Sequence, residues 1–144
     1  MNSTNKKNSN VKDITSIVCF NKLSEIANSY LIDVRTKPEW QFIGVPDLSS
    51  LNKKTIFISW HEYPKMNINK NFESRVIVKS VEKDDNIFLI CRSGTRSLHA
   101  AIYLASHGYN HCYNVSDGFE GYKNNLNHRS TINGWKFNNL PWKQ

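Results

Sequence analysis

Three short apolar runs without polar alternation, YLIDV (30–34), TIFIS (55–59) and NIFLIC (86–91), constrain this chain more than any other feature. A strand that is apolar on both sides has to be covered on both sides, which a parallel sheet between two helix layers achieves. The intervening sequence supplies the helices. FNKLSEIANS (20–29) places Phe20, Leu23 and Ala27 on one face. TKPEWQF (36–42) opens with Thr36 and Glu39 at capping-box spacing and carries Pro38 in the first turn, where its missing N–H costs little. NFESRVIVKSVEK (71–83) reads as a helix despite its valines. Leu98, Ala101, Ile102 and Ala105 recur at helical spacing, and Gly108 stands where a left-handed C-cap belongs. CYNV (112–115) completes the pattern as a fourth strand.

The 144 residues suffice for one domain and not for two. Residues 1–12, rich in Asn, Lys and Ser, read as a flexible tail, which leaves 13–144 as the folded domain. A formal charge of +7 favours anionic partners, but the lysines are scattered rather than arrayed on one segment. No basic-aromatic recognition motif points to nucleic acid. No run approaches the roughly eighteen apolar residues of a membrane span, and the polar start MNSTNKKNSN lacks a secretory core, so a cytoplasmic chain without membrane contact is expected. Cys19, Cys91 and Cys112 are far apart, with no C-x-x-C, which argues against a disulfide framework. His107, His111 and Cys112 are the nearest approach to a zinc site, and their spacing is poor for one, so neither a metal nor a cofactor is expected.

In a parallel sheet, ligands bind beyond the carboxyl ends of the strands. Cys91 ends one apolar run, and Asp33, Val34 and Arg35 end another. The stretch CRSGTRS (91–97) runs from that strand end into the best helix of the chain. Three of its features favour the thiolate, the reactive form of cysteine. The helix start offers partial positive charge and unpaired N–H groups. Arg92 and Arg96 add permanent positive charge. Gly94 can turn the backbone so that successive N–H groups converge on an anion. Ser93, Thr95 and Ser97 bring further donors. The conjunction describes an anion cradle with a nucleophile at its floor, rather than a cysteine packed as a small hydrophobe.

CRSGTRS resembles the active-site loop of the rhodanese (sulfurtransferase) family, commonly C-R-x-G-x-R-S. LIDVRTKPEW (31–40) resembles the family's D-V-R…E-W segment, and HGYNHCYNVSDGFEG (107–121) its G-[FY]…N-[LV]-x-G-G segment. NGWKFNNLPWKQ (133–144) is similar to the W-K-x-x-G-L-P ending of many members. The resemblance implies an α/β fold with a central parallel sheet of about five strands flanked by helices. It also implies a sulfurtransferase in which Cys91 takes the outer sulfur of an anionic donor such as thiosulfate. The resulting persulfide would pass its sulfur to a thiol or cyanide, or to an acceptor protein. Arg92 and Arg96 would position the donor, Gly94 would permit the loop turn, and Ser97 would cap the helix and could touch the persulfide. Asp33 and Arg35 could brace the loop through an ion pair, or form a partly exposed salt bridge of little consequence.

The chain departs from the family pattern in two places. Ser116-Asp117-Gly118 replaces the paired glycine, and YKNNLNHRSTIN (122–133) is extra polar sequence. That insertion and the connection ISWHEYPKMNINKNF (58–72) could form the rim of the pocket or be surface packing; Trp60, Tyr63, Trp135 and Trp142 fit core or edge positions. The alternatives to a catalytic sulfurtransferase are a non-catalytic or partner-loaded sulfur carrier or binding module, and a cysteine phosphatase or arsenate reductase. The last enclose one residue more than RSGT between cysteine and arginine, and they carry a histidine where Ile90 stands.

Overall fold

The computed structural model describes residues 10–144. Five parallel strands form the central sheet: β1 (Val11–Ile14), β2 (Ser29–Asp33), β4 (Ile56–Phe57), β7 (Asn86–Ile90) and β8 (His111–Val115), in the order β1-β8-β7-β2-β4. Around it lie α1 (Ser16–Glu25), α2 (Lys37–Phe42), α3 (Phe72–Val78) and α4 (Thr95–Ser106). Two small antiparallel pairs complete the fold, β3 (Val45–Pro46) with β9 (Trp142–Lys143), and β5 (His61–Glu62) with β6 (Asn67–Ile68).

Because side chains alternate across a strand, the apolar runs feed two separate cores. Ile32, Val34, Ile87, Leu89 and Cys91 point to one face and pack with Phe72 and Val76 of α3 and with Ala100, Ala101 and Leu104 of α4. Leu31, Phe88 and Ile90 point to the other and pack with Cys19 and Leu23 of α1, Phe119 and Trp135. Both-face burial is therefore the property that the unbroken apolar runs encode.

Several boundaries differ from the sequence expectations, each for a local reason. The fold starts at Val11, inside the expected tail, because β1 pairs with Cys112–Val115 along the sheet edge; the rest of that tail, residues 1–9, lies outside the described residues. The first helix runs one turn earlier than expected. Thr15 caps it, its hydroxyl accepting the Val18 N–H at 3.3 Å, and the buried stripe is Ser16, Cys19 and Leu23. The third helix stops at Val78, with Ser80 in the left-handed region at φ 62°. In α4 the buried stripe is Ser97, Ala100, Ala101, Leu104 and Ala105, so Leu98 and Ile102 sit at the margin rather than the centre. The small residues let the helix lie close on the sheet. Gly108, at φ 91°, follows its end as the C-cap argument requires. Trp135 and Trp60 are core residues, whereas Tyr63 and Trp142 are exposed.

Asp117, one of the two residues in place of the paired glycine, ties the N-terminus of α1 to the C-terminal segment. Its carboxylate accepts the Ser16 N–H and the Ser16 hydroxyl, each at 2.8 Å, and the Gly134 N–H at 3.1 Å. Placed at a helix start, it also meets the favourable end of the helix dipole. Asp117→Ala would leave three buried donors unanswered, and we expect it to lower unfolding stability in denaturant titration by about 2–4 kcal/mol. A loss below about half a kilocalorie per mole would show that water replaces the carboxylate without penalty.

Candidate active site

Strand β7 ends at Ile90, and Cys91 begins a loop that reaches α4 within four residues. Gly94 is the N-cap of α4 at φ 109°, a conformation that L side chains rarely adopt, and a Cβ there would strike the Ser116 carbonyl oxygen. This turn aims the loop inward. The Gly94 N–H lies 3.2 Å from the Cys91 Sγ and the Ser97 N–H 3.4 Å from it, while the Ser97 Oγ stands at 3.2 Å. Cys91 as a residue is 1% exposed. Two backbone donors, a hydroxyl and the first turn of a twelve-residue helix thus converge on one atom.

The loop is held in place by the turn that follows β8. Phe119 donates its N–H to the Cys91 carbonyl at 2.8 Å, and Glu120 and Gly121 donate theirs to the Arg92 carbonyl at 3.0 and 3.2 Å. Gly118, at φ 66°, allows that approach, because a Cβ there would collide with the Arg92 carbonyl.

Ser97 has one hydroxyl proton and two neighbours for it. Its Oγ lies 2.6 Å from the Asn114 Oδ1 and 3.2 Å from the sulfur. The Asn114 amide is fixed from its other end, where Nδ2 donates to the Gly94 carbonyl at 3.1 Å and to Asp13 at 3.0 Å. When Ser97 donates to Asn114, its oxygen can accept the Cys91 thiol proton; when the sulfur is anionic, the hydroxyl can turn to it. Asn114 lies within the N-[LV] segment quoted above, yet its contact with the loop was not among the expectations.

The remaining expected site residues have different fates. Arg92 contributes its carbonyl to the loop anchor while its side chain stands in solvent. Thr95 is exposed and Ser93 half-buried. Arg96 is engaged by a residue of α2 rather than left free, with Nη1 2.7 Å from Glu39 Oε1 and Nη2 2.9 Å from Oε2. Glu39 also accepts from the Thr36 N–H and hydroxyl, which is the return half of the expected capping box. Burial alone would raise the Glu39 pKa, but the Arg96 bonds and charge and the Thr36 bonds override it and bring the value down from 4.5 to about 2. Arg96 is correspondingly stabilised as a cation, despite burial, by Glu39 and then by the fields of Cys91 and Asp33.

Asp33 and Arg35 form a fully buried pair, not a partly exposed one, with Nη2 2.7 Å from Oδ2 and Nε 3.0 Å from Oδ1. The same guanidinium donates to the Gly44 carbonyl and lies 4.3 Å over the Phe119 ring. The Phe119 N–H in turn bonds the Cys91 carbonyl, so one residue contacts both the pair and the loop.

His61 also belongs near the mouth. Burial first, and then the positive fields of Arg96 and His99, push its pKa down. Its backbone neighbour Trp60 packs edge-on against Tyr103, one helical turn beyond His99 on α4. Among the described residues, no group of three His, Cys, Asp or Glu side chains is placed to hold a metal. Cys19 faces the opposite core from Cys91. Cys112 is paired with Ile87 in the sheet, four residues upstream of Cys91 and therefore about 13 Å away along β7. That is too far for a disulfide. Burial pushes the Cys112 thiol up to about 12 and, with the Asp117 charge, raises that of Cys19 too.

The parallel five-stranded sheet with a cysteine loop at the carboxyl end of its central strand defines a rhodanese-like protein. A rhodanese-like domain protein of Staphylococcus aureus shares the fold, with a TM-score of 0.54 and 24% identity over 74% of this chain and 86% of that one. More specifically, the chain belongs to the family described as the STR4 middle domain, which it matches over residues 12–144. The crystal structure of Rv0390 from Mycobacterium tuberculosis is similar, with a TM-score of 0.83 and 36% identity, covering 92% of this chain and 97% of that one. An uncharacterised protein of Rickettsia prowazekii is 46% identical over 92% of this chain and 98% of its own length. A sulfurtransferase of Allochromatium vinosum is 29% identical over 75% of this chain and 84% of its own.

The carboxylate of Glu39 titrates lower in the folded chain than its ordinary 4.5, so the stabilisation it gives is complete above that pH and fades as pH falls toward about 2. In Glu39→Gln we expect the part of acid destabilisation between those two values to be reduced and stability at pH 7 to fall by about 1–3 kcal/mol. An acid-unfolding curve identical to that of the parent would remove the Glu39–Arg96 pair from the account.

Proposed function

We propose that the protein is a sulfurtransferase that carries a sulfane sulfur as a persulfide on Cys91, taken from an anionic donor of the thiosulfate type. The observation that carries this reading is the convergence of the Gly94 N–H, the Ser97 N–H and the Ser97 hydroxyl on the Cys91 sulfur. Such preorganised donors favour a sulfur that is negatively charged before the reaction, as thiolate, and again after it, as persulfide anion. The sulfurtransferase relative supports the same class of chemistry.

In the first half-reaction the Cys91 thiolate attacks the outer sulfur of thiosulfate. A new S–S bond forms on Cys91, the old one breaks, and its electron pair leaves with sulfite. In the second, an acceptor thiolate or cyanide attacks the outer sulfur of the persulfide, and the electron pair returns to Cys91. Neither step needs a general base if both sulfur nucleophiles arrive ionised. Arg96, held by Glu39 at the edge of the loop, supplies a fixed positive field where the donor's sulfonate end arrives. Arg92, in solvent, draws the anion in. A second reading, a carrier loaded by a donor protein, is favoured by the near-complete burial of Cys91 and by the prior engagement of Arg96.

Intact-protein mass spectrometry after incubation with thiosulfate should show a gain of one sulfur atom, reversed by cyanide and absent from Cys91→Ser. Failure to load from thiosulfate or polysulfide would overturn direct use of a small donor and leave the partner-loaded carrier. Arg96→Ala should lower kcat/KM for thiosulfate by about tenfold or more, a loss of at least 1.4 kcal/mol of transition-state stabilisation. An unchanged value would take Arg96 out of donor binding.

A further inference from the structure

An open cleft of about 600 Å³ is lined by residues of α2, of β4 and the segment after it, and of α3. Its walls are aromatic. Trp40 meets Phe57 edge-on at 5.2 Å, and Phe57 and Tyr63 keep 39% and 63% of their surface exposed. Its rim is cationic, with Lys37, Arg75 and Lys79 against the single carboxylate of Glu62. None of the three cations is in an ion pair among the described residues.

Three further features bear on what the cleft holds. Among the described residues, β4 pairs only with β2, so its other edge presents unpaired backbone groups, as an edge that accepts an added strand does. The indole Nε1 of Trp40, in the cleft wall, is buried and has no acceptor among the described residues. Such a donor is costly to leave unanswered. The cleft also adjoins the candidate site. Trp40 is next in sequence to Glu39, which holds Arg96, and the Ser59 hydroxyl, also at the cleft, donates to the Arg35 carbonyl at 2.8 Å.

We infer that this cleft docks an extended, acidic, aromatic-bearing segment of the protein that receives sulfur from Cys91, an inference that rests on the sulfur-transfer reading above. The segment's backbone lies along the β4 edge, and an apolar side chain packs on the exposed surfaces of Phe57 and Tyr63. Its carboxylates face Lys37, Arg75 and Lys79, while Glu62 rejects a basic segment. The excess of three cations over one carboxylate sets the charge of the partner. The apolar walls ask for side-chain area that a small sulfur anion does not have.

The probe is an acetylated hexapeptide alternating glutamate and phenylalanine, titrated into the full chain and followed by the Trp40 indole N–H resonance, assigned with Trp40→Phe. The peptide should shift that resonance with saturation, and its lysine-phenylalanine counterpart should not. Arg75→Glu/Lys79→Glu should weaken binding at least tenfold. Lys12→Glu/Lys22→Glu, which changes net charge equally but lies toward the opposite edge of the sheet, should alter it less than threefold. Cys91→Ser should bind as the parent does, so failure of the sulfur-loading experiment and failure of this one are separate results. No saturable shift at millimolar peptide, equal binding of the basic peptide, or equal losses in the two charge-reversed pairs would each overturn the inference.

Discussion

The geometry at Cys91 depends on a close backbone contact between two loops. The carbonyls of Cys91 and Arg92 are held by the N–H groups of residues 119–121, and the contact exists only because Gly118 and Gly94 have no Cβ to keep the chains apart. Without it the loop has no reason to curl inward, and its N–H groups would be satisfied by water instead of aiming at one sulfur. The parallel pairing of β7 with β8 brings the two loops out at the same end of the sheet. The guanidinium of the buried Asp33–Arg35 pair stacks 4.3 Å over the Phe119 ring. A buried ion pair is weak evidence for stability, since desolvation offsets much of its attraction. Its contribution here is to fix Phe119.

The two loop arginines illustrate how little a charge count says about arrangement. Both are permanent cations, yet one stands in solvent and the other is clamped by a carboxylate 57 residues away in sequence, in α2. The clamp leaves Arg96 oriented in advance, which would lower the entropy lost on binding the anion proposed above. It also partly neutralises the field it holds in place. The same helix presents Lys37 and Trp40 to the neighbouring cleft, so α2 couples the rim of the site to the surface beside it.

What could be read from the residues follows the range of the interactions involved. The unbroken apolar runs gave β2 and β7 nearly to the residue, because burial on both faces is a local compositional demand. The loop CRSGTRS was legible as an anion cradle for the same reason, since glycine, helix start and cysteine are contiguous. β1 was not legible: Val11 to Ile14 has mixed polarity, and it is a strand because β8 offers it an edge. Ser16 reads as a poor core residue until Asp117, a hundred residues later, accepts its hydroxyl. The partnerships of Glu39 with Arg96 and of Asn114 with Ser97 likewise join segments far apart in sequence, and only the folded chain pairs them. The rotated stripe of α4 is an intermediate case. Leu98 and Ile102 carry the larger apolar signal, but the close approach of helix to sheet selects the small residues instead.

The three thiols are segregated by depth and by face. Cys19 and Cys112 are sealed in apolar surroundings that keep them protonated, on opposite sides of the sheet, and Cys112 is offset from Cys91 by several residues of strand. On the proposed reading, a sulfur carried on Cys91 would therefore have no internal exit through the other two thiols. Neither could discharge it by closing a disulfide, so its lifetime would be decided by an acceptor arriving from outside.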